Sequence, residues 1–258
     1  MPEPVRCPGC ALGDAVYGTT NELFAGGYAE YALVQTGRVA GKPAALDYVT
    51  AAGLPVVAVT AWQMLFEYAR IEAGQAILVR GAAGSVGACA TQMAKQAGVY
   101  GAARVRDIER VRALGAEPVV EGDRIGARLA SQSLDVVIDT IGGDALESAC
   151  NVLRPNGVIV SVVRAPDETY LRSKGVRAAY FMVDVTRARL DHLSTRESCA
   201  FRISLNAPQP PTPSSNPISI TGAARYPVFA YSSTAHTTPP MRGRIAALAK
   251  SSKTRDTA

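Results

Sequence analysis

QAILVRGAAGSVGACATQMAKQAG, residues 75–98, is the stretch from which the rest of the chain is read. Ala76 to Val79 form a short apolar run of the kind found in a parallel sheet covered on both faces. Gly81-Ala82-Ala83-Gly84-Ser85-Val86-Gly87 follows as a turn with glycine at its first, fourth and seventh positions. From Val86 onward, Val86, Ala90, Met93, Ala94 and Ala97 recur at helical spacing, and Gly98 is expected to be the glycine that closes that helix. The order is strand, glycine turn, helix.

Such a turn has a general chemistry. Glycines let the backbone approach a pyrophosphate closely, the first free N–H groups of the helix point at it, and the helix dipole favours its charge. On this reading Gly81, Ala82, Ala83, Gly84, Ser85, Val86 and Gly87 are dinucleotide contacts, with the N–H groups from Gly84 to Gly87 as donors. The competing reading is that the glycines serve only close packing of strand and helix. The position of the motif, after a strand and at the start of a helix, is the context the first reading needs.

The flanking chain supports a parallel architecture. Ala15 to Tyr17 is a brief strand, and Gly26-Gly27 turns into Tyr28–Val34, whose residues suit a pleated surface. Leu46 to Ile71 reads as helix broken by Pro55, with Thr60 as a cap of the second segment and Trp62, Leu65, Phe66 and Ala69 on one buried face. Val99–Ala103 is the second strand of the main sheet. Asp107 is expected to cap a helix through Ile108, Val111 and Leu114 that Gly115 closes. Val119-Val120, Leu134–Ile141, Val158–Val163 and Val176–Val183 are the remaining strands. Asp144 with Glu147 forms a capping box for a helix from Ala145 to Leu153, Pro155-Asn156-Gly157 is a tight turn, and Thr186–Leu193 is a short helix. Alternating strands and helices with connections too long for hairpins give an α/β fold with a doubly wound parallel sheet.

In such a sheet the end of the second strand meets the adenine ribose. An acidic residue there selects NAD, and an arginine accommodates the 2′-phosphate of NADP. Arg104 and Arg106 are the first basic side chains past that strand and favour NADPH; Asp107, near the spacing of a ribose carboxylate, keeps NADH possible. Loops at the carboxyl ends of parallel strands face the ligand crevice, so Gly142, Ser161 and Val162 are further candidate contacts, with turn roles as the alternative. Ser161, Tyr170 and Lys174 imitate the Ser and Tyr-x-x-x-Lys of short-chain dehydrogenases. That geometry needs a helix, and Gly175 with the strand-like residues after it argues against one.

Composition narrows the classes. The chain has 258 residues, 48% of them hydrophobic, enough for one large domain or two small ones. The net charge of +5 resides in residues 197–258, which carry 7 basic and 2 acidic side chains; residues 1–196 carry 20 of each. No basic stripe interleaves with aromatics, so nucleic acid is not an expected partner. Of Cys7, Cys10, Cys89, Cys150 and Cys199 only Cys7-Pro8-Gly9-Cys10 has ligand spacing, and His192 and His236 are isolated. A tetrahedral zinc needs four ligands, so no metal site is expected. An odd cysteine count, no export signal and no apolar stretch long enough for a bilayer give the expectation of a soluble, cytoplasmic protein without a membrane.

The run VRGAAGSVGACATQMAKQAG resembles the nucleotide-binding turn of the zinc-free quinone oxidoreductase branch of the medium-chain dehydrogenase/reductase family. VYGTTNELFAGGYAEYALV (16–34), LPVVAVTAWQMLF (54–66), LDVVIDTIGG (134–143) and LRPNGVIVSVV (153–163) match in the family's order. The resemblance implies a Rossmann domain over 51–196 with a leading helix. Residues 1–50 would be a remnant of a GroES-like substrate domain whose earlier strands are missing. It implies hydride transfer from NADPH or NADH to a quinone or α,β-unsaturated carbonyl without zinc, with Thr60 near the nicotinamide, a small molecule as substrate and a homodimer as a possible assembly. Two departures stand out: the second strand is about two residues shorter than in the family, and Gly122 replaces a tyrosine that helps hold the phosphate in NADPH-using relatives. The resemblance ends near Arg196. Residues 197–258 hold 8 of the chain's 16 prolines with many Ser and Thr, so a disordered tail is expected, of the kind a reading-frame change would produce. Two alternatives remain open: a catalytically impaired nucleotide-binding fragment, and an S-adenosylmethionine-dependent methyltransferase, whose sheet can carry a turn like Leu153–Gly157.

Overall fold

In the computed structural model of the chain, residues 11, 13–121, 125, 129, 133–143 and 145–195 are described. The expectations for Cys7 and Cys10, Gly122, the Asp144–Glu147 capping box and the 197–258 tail fall on residues or side chains outside that set.

The described chain opens on a small antiparallel pair, β1 (Val16–Gly18) and β2 (Val39–Gly41). Between them the expected strand Tyr28–Val34 does not form. Its residues bend across the surface with Tyr28, Tyr31 and Leu33 exposed by 81, 81 and 98%. Residues that suit a pleated surface are not enough for a strand, because the backbone needs a partner edge, and none of the described strands pairs with this segment.

The helical stretch resolves into three pieces. α1 (Tyr48–Ala52) is capped by Asp47, whose carboxylate accepts the Thr50 N–H at 2.7 Å. α2 (Pro55–Trp62) starts with Pro55 at its first position, where the missing N–H costs nothing. Gln63–Ala69 continues it as a π-helical segment that ends on Arg70 in the left-handed region (φ 54°). Thr60 therefore does not cap. It lies inside α2, and its hydroxyl donates to the Val56 carbonyl at 2.7 Å.

The main sheet contains β3 (Ala76–Arg80), β4 (Gly98–Ala103), β5 (Glu117–Val120), β6 (Leu134–Asp139), β7 (Leu153–Ser161) and β8 (Arg177–Tyr180). All its pairings are parallel, in the order β5-β4-β3-β6-β7-β8. Numbered from its own first strand this is 3-2-1-4-5-6, the doubly wound order whose switch point lies between β3 and β6. β3 is apolar on both sides because it is covered on both. Ile77 and Val79 join Met64, Leu65, Cys89 and Ala90 in one layer, and Leu78 joins Leu146, Ile159 and Leu171 in the other.

Helix α3 (Ser85–Met93) ends sooner than its apolar spacing suggests, so Gly98 opens β4, its N–H bonded to the Gln75 carbonyl at 2.8 Å. α4 (Ile108–Ala113) has Asp107 at its N-cap position, but that carboxylate makes no capping bond. α5 (Ala145–Cys150) stops before Leu153, which already belongs to β7, and Pro155-Asn156-Gly157 lies within that strand where its register against β6 shifts. α6 (Glu168–Ser173) forms despite Gly175, which lies beyond its end at φ 67°. α7 (Arg187–Thr195) returns to β1 and β2: the Tyr17 hydroxyl donates to the Leu190 carbonyl at 2.8 Å, and Leu190 packs with Tyr17, Ala40 and Val59.

Arg189 of α7 clamps Glu67 of the π segment with two bonds of 2.8 and 2.9 Å. The Arg189 guanidinium holds the Glu67 carboxyl below its usual value of 4.5. A carboxylate with a depressed pKa contributes stability above its unfolded value, and that contribution is lost as pH falls through the folded value. Replacing Glu67→Gln is therefore expected to flatten the fall of melting temperature with acidification below about pH 4.5, measured by circular dichroism across a pH series. An unchanged slope would count against the clamp.

Candidate functional site

β3 and β6 diverge at the switch point, and the turn 81–87 sits there above the carboxyl edge of the sheet. Its shape follows from contacts inside the chain. Gly81 has φ +75°, and a Cβ on it would lie 2.4 Å from Thr140 Oγ1. A Cβ on Gly87 would lie 2.1 Å from the Gly81 carbonyl oxygen. Both glycines are thus required by the fold. Gly84 differs: its φ is −75°, and a Cβ there would meet only the Gly81 oxygen, at 3.2 Å. A methyl group at Gly84 requires that oxygen to give by a few tenths of an ångström, a milder conflict than at Gly81 or Gly87.

The N–H groups divide in the same way. Those of Gly81 and Ala82 donate to the Ala102 carbonyl at 3.0 Å each, and that of Gly84 donates to the Gly81 carbonyl at 2.8 Å. Gly84 is not the free donor expected of it, and Ala82 is buried in the core. Among the described residues, the N–H groups of Ala83, Ser85, Val86 and Gly87 have no acceptor. They are the unsatisfied donors that begin every helix, here beside a residue without a side chain. The residues fit the pyrophosphate of a dinucleotide: a glycine without a side chain beside N–H groups of suitable number, and no carboxylate within the turn itself.

The other candidates fall in two groups. Arg104 and Arg106 follow β4 and share one carboxylate, Asp107, at 3.2 and 3.7 Å; both arginine side chains are 69% exposed. Gly142, Ser161 and Val162 gather instead around a buried polar knot. Ser161 Oγ donates to Asp139 Oδ2 at 2.7 Å, the Gly142 N–H to Asp139 Oδ1 at 3.0 Å, and the Val162 N–H to the Asp139 carbonyl at 3.4 Å. The hydroxyl of Ser161 is committed to that aspartate. Thr60 is buried within α2.

Arg80 joins the knot, and no motif singles it out. Only 1% exposed, it donates from Nη1 to Asp139 Oδ1 at 2.8 Å, from Nε and Nη2 to Glu121 Oε1 at 2.9 and 2.8 Å, and from Nη2 to the Gly142 carbonyl at 3.2 Å. A sequence signal exists in retrospect. Arg80 and Asp139 each end a strand that is otherwise core, and buried opposite charges must find each other. Tyr170 and Lys174 do meet on α6, both donating to Asn151 Oδ1, at 3.1 and 2.6 Å. Lys174 is exposed and Tyr170 partly buried, and they lie toward the amino edge of the sheet, away from Ser161 at the carboxyl end of β7. Among the described residues no three His, Cys, Asp or Glu side chains group closely enough to hold a metal, and no helix is long and apolar enough to cross a membrane. Burial pushes the Cys89 thiol up to about 12, which leaves it inert at neutral pH.

A six-stranded parallel sheet in this order, with a glycine turn opening a helix at its switch point, defines a doubly wound α/β protein of the dinucleotide-binding kind. The comparisons agree. Residues 85–179 match the family described as zinc-binding dehydrogenase. The chain is 34% identical over 165 residues to an NADPH-dependent alkenal/one oxidoreductase of Arabidopsis thaliana, a match over 59% of this chain and 42% of the plant protein. An alcohol dehydrogenase superfamily protein from Novosphingobium aromaticivorans superposes with a TM-score of 0.59 at 32% identity, covering 74% of this chain and 59% of that one. The quinone oxidoreductase of Coxiella burnetii does so with a TM-score of 0.53 at 30% identity, covering 61% and 51%. Over this partial span the chain is similar to proteins of the medium-chain dehydrogenase/reductase superfamily, a quinone oxidoreductase and an alkenal/one oxidoreductase among them. It spans less than two thirds of the length of each of these proteins.

The glycines separate by substitution. Gly87→Ala drives a methyl into a backbone oxygen that cannot swing away, and is expected to cost about 3 kcal/mol. Gly84→Ala replaces a tolerated N-cap glycine and is expected to cost about 1 kcal/mol. Urea unfolding of both variants measures the difference, and equal losses would contradict this division of roles.

Proposed function

We propose that the chain binds a reduced nicotinamide dinucleotide across the carboxyl edge of its sheet and serves the two-electron reduction of a quinone or α,β-unsaturated carbonyl. The observation that carries this reading is the group of four N–H donors without an acceptor among the described residues, those of Ala83 and of Ser85 to Gly87, beside Gly84, which has no side chain. These donors would hold the pyrophosphate at the positive end of α3. The reduced nicotinamide, when bound, supplies a hydride to the electron-poor carbon of the acceptor. The chain's share is to hold and orient: the turn fixes the phosphates, Gly142 and the backbone after Ser161 line the switch point, and Thr60 offers its remaining lone pairs at the nicotinamide end. The reading needs no zinc.

Arg104 and Arg106 favour NADPH over NADH, and the plant relative, by its name, uses NADPH. A 2′-phosphate would displace Asp107, whose surface ion pairs cost little to break. Every relative named above is a reductase or dehydrogenase by description, which favours redox chemistry over methyl transfer from S-adenosylmethionine.

A second reading rests on β1 and β2. Two strands of three residues, with Tyr28, Tyr31 and Leu33 in solvent, are a slender wall for a substrate cleft. On that reading the chain binds nucleotide without turnover.

Calorimetric titration with NADPH, NADH and S-adenosylmethionine, followed by absorbance assays over a quinone and enone panel, tests both readings. Binding of NADPH with acceptor-dependent oxidation supports the reductase, and binding alone supports the second reading. The double variant Arg104→Ser/Arg106→Ser is expected to lose about tenfold in NADPH affinity while keeping that for NADH, since charge-assisted bonds to a phosphate are worth about 1.5 kcal/mol or more. An unchanged ratio would assign the arginines to solvent.

A further inference from the structure

We propose that Arg80 is the positioning residue of the crevice: its buried guanidinium ties the glycine turn and the loop after β6, both of which carry candidate dinucleotide contacts, to Glu121 after β5. The proposal rests on the dinucleotide reading above and deepens it.

Arg80 is the last residue of β3, immediately before Gly81. Its own carbonyl accepts the Thr140 hydroxyl at 2.7 Å, which pins the start of the glycine turn against the loop after β6. Its side chain then reaches two more loops. Nη1 meets Asp139 at the end of β6, Nη2 meets both the Gly142 carbonyl after β6 and Glu121 after β5, and Nε meets Glu121 as well. To reach Glu121 the guanidinium passes over β4, where its register partner Ala102, fully buried, is small enough to leave room. Asp139 extends the network to β7 through Ser161. One planar group thus sets the relative position of the carboxyl ends of β3, β5, β6 and β7.

An aliphatic residue at this position would avoid the desolvation of a charge. It would lack directional bonds, and the loops would then be placed by packing alone. The guanidinium offers a rigid fork of donors. A lysine ammonium is a single point and cannot span Glu121, Asp139 and Gly142 together. The network sits at the edge where the dinucleotide would bind, whereas the amino edge of the same strands holds Asp135 paired with the half-exposed Arg154.

The test uses the full chain with NADPH as probe, titrated calorimetrically well below each variant's melting midpoint. Arg80→Lys keeps the charge and is expected to leave the far-ultraviolet circular dichroism unchanged while weakening NADPH about tenfold or more, because small displacements of binding groups are costly. A purely structural role would lower the melting midpoint and leave the affinity of the folded molecule as it was; that result overturns the proposal. Should Arg80→Lys fail to fold, Glu121→Ala decides instead. It keeps the Arg80–Asp139 pair, removes the oxygen that accepts from Arg80 after β5, and is expected to weaken NADPH about fivefold when titrated below its own melting midpoint. Unchanged affinity in that variant overturns the proposal equally. If the unaltered chain binds no NADPH, the dinucleotide reading fails and this inference falls with it. If the chain binds and both variants bind as well, the inference alone fails.

Discussion

Gly87 lies so close to the carbonyl of Gly81 that not even one carbon atom fits between helix and turn. That approach seats α3 on the end of β3. Cys89 and Ala90 thereby enter the layer that holds Ile77 and Val79, and the first N–H groups of the helix open toward the switch point. The same contact serves packing and orientation. A larger residue would lift the helix, loosen the layer beneath it and turn the donors away from the crevice together. Stability and binding are therefore tightly coupled at Gly87 and less so at Gly84, where a Cβ would stand 3.2 Å from the same carbonyl oxygen instead of 2.1 Å.

The second constraint is charge. The core face carrying Leu78, Val137 and Ile159 is apolar until its carboxyl end, where Arg80, Asp139 and Ser161 take the next positions along the same strands. Nothing forces polar residues there for folding, since the layer would close as well with aliphatic side chains. Breaking one partner of such a buried pair costs about 3–5 kcal/mol, so the network is held once it exists. It divides the sheet into an apolar body that determines the fold and a polar rim that determines where loops stand.

What the sequence revealed follows this division. The strands, their parallel sense and the glycine turn were legible because each is a local pattern: an apolar run, a turn residue, a helical period. Arg80 was not, because its meaning depends on Glu121 and Asp139, 41 and 59 residues further on, and a lone arginine at a strand end looks like ordinary punctuation. Tyr28–Val34 failed for the opposite reason. Its residues suit a pleated surface, but a strand is a relation between two segments, and no described strand pairs with it. Thr60 shows a third kind of difficulty. A threonine preceding an apolar face matches a cap, yet Pro55 had already started the helix, so the hydroxyl turned back to Val56.

The carboxyl edge is electrostatically asymmetric. Near β3 and β6 the charges are buried, mutually satisfied and unavailable to a ligand. Beyond β4 they are exposed: two arginines share Asp107, which leaves one positive charge in excess on a short surface loop. Exposed ion pairs are worth about 0–1 kcal/mol, so this loop yields its partner at small cost, whereas the buried knot does not yield at all. A dinucleotide has the complementary character, with a pyrophosphate that suits fixed main-chain donors and an adenosine end whose extra phosphate, when present, suits a mobile cationic pair. On the proposed reading, fixed geometry at the turn and adjustable charge past β4 suit the coenzyme's phosphates, and selectivity between its two forms would rest on Arg104 and Arg106 rather than on the turn.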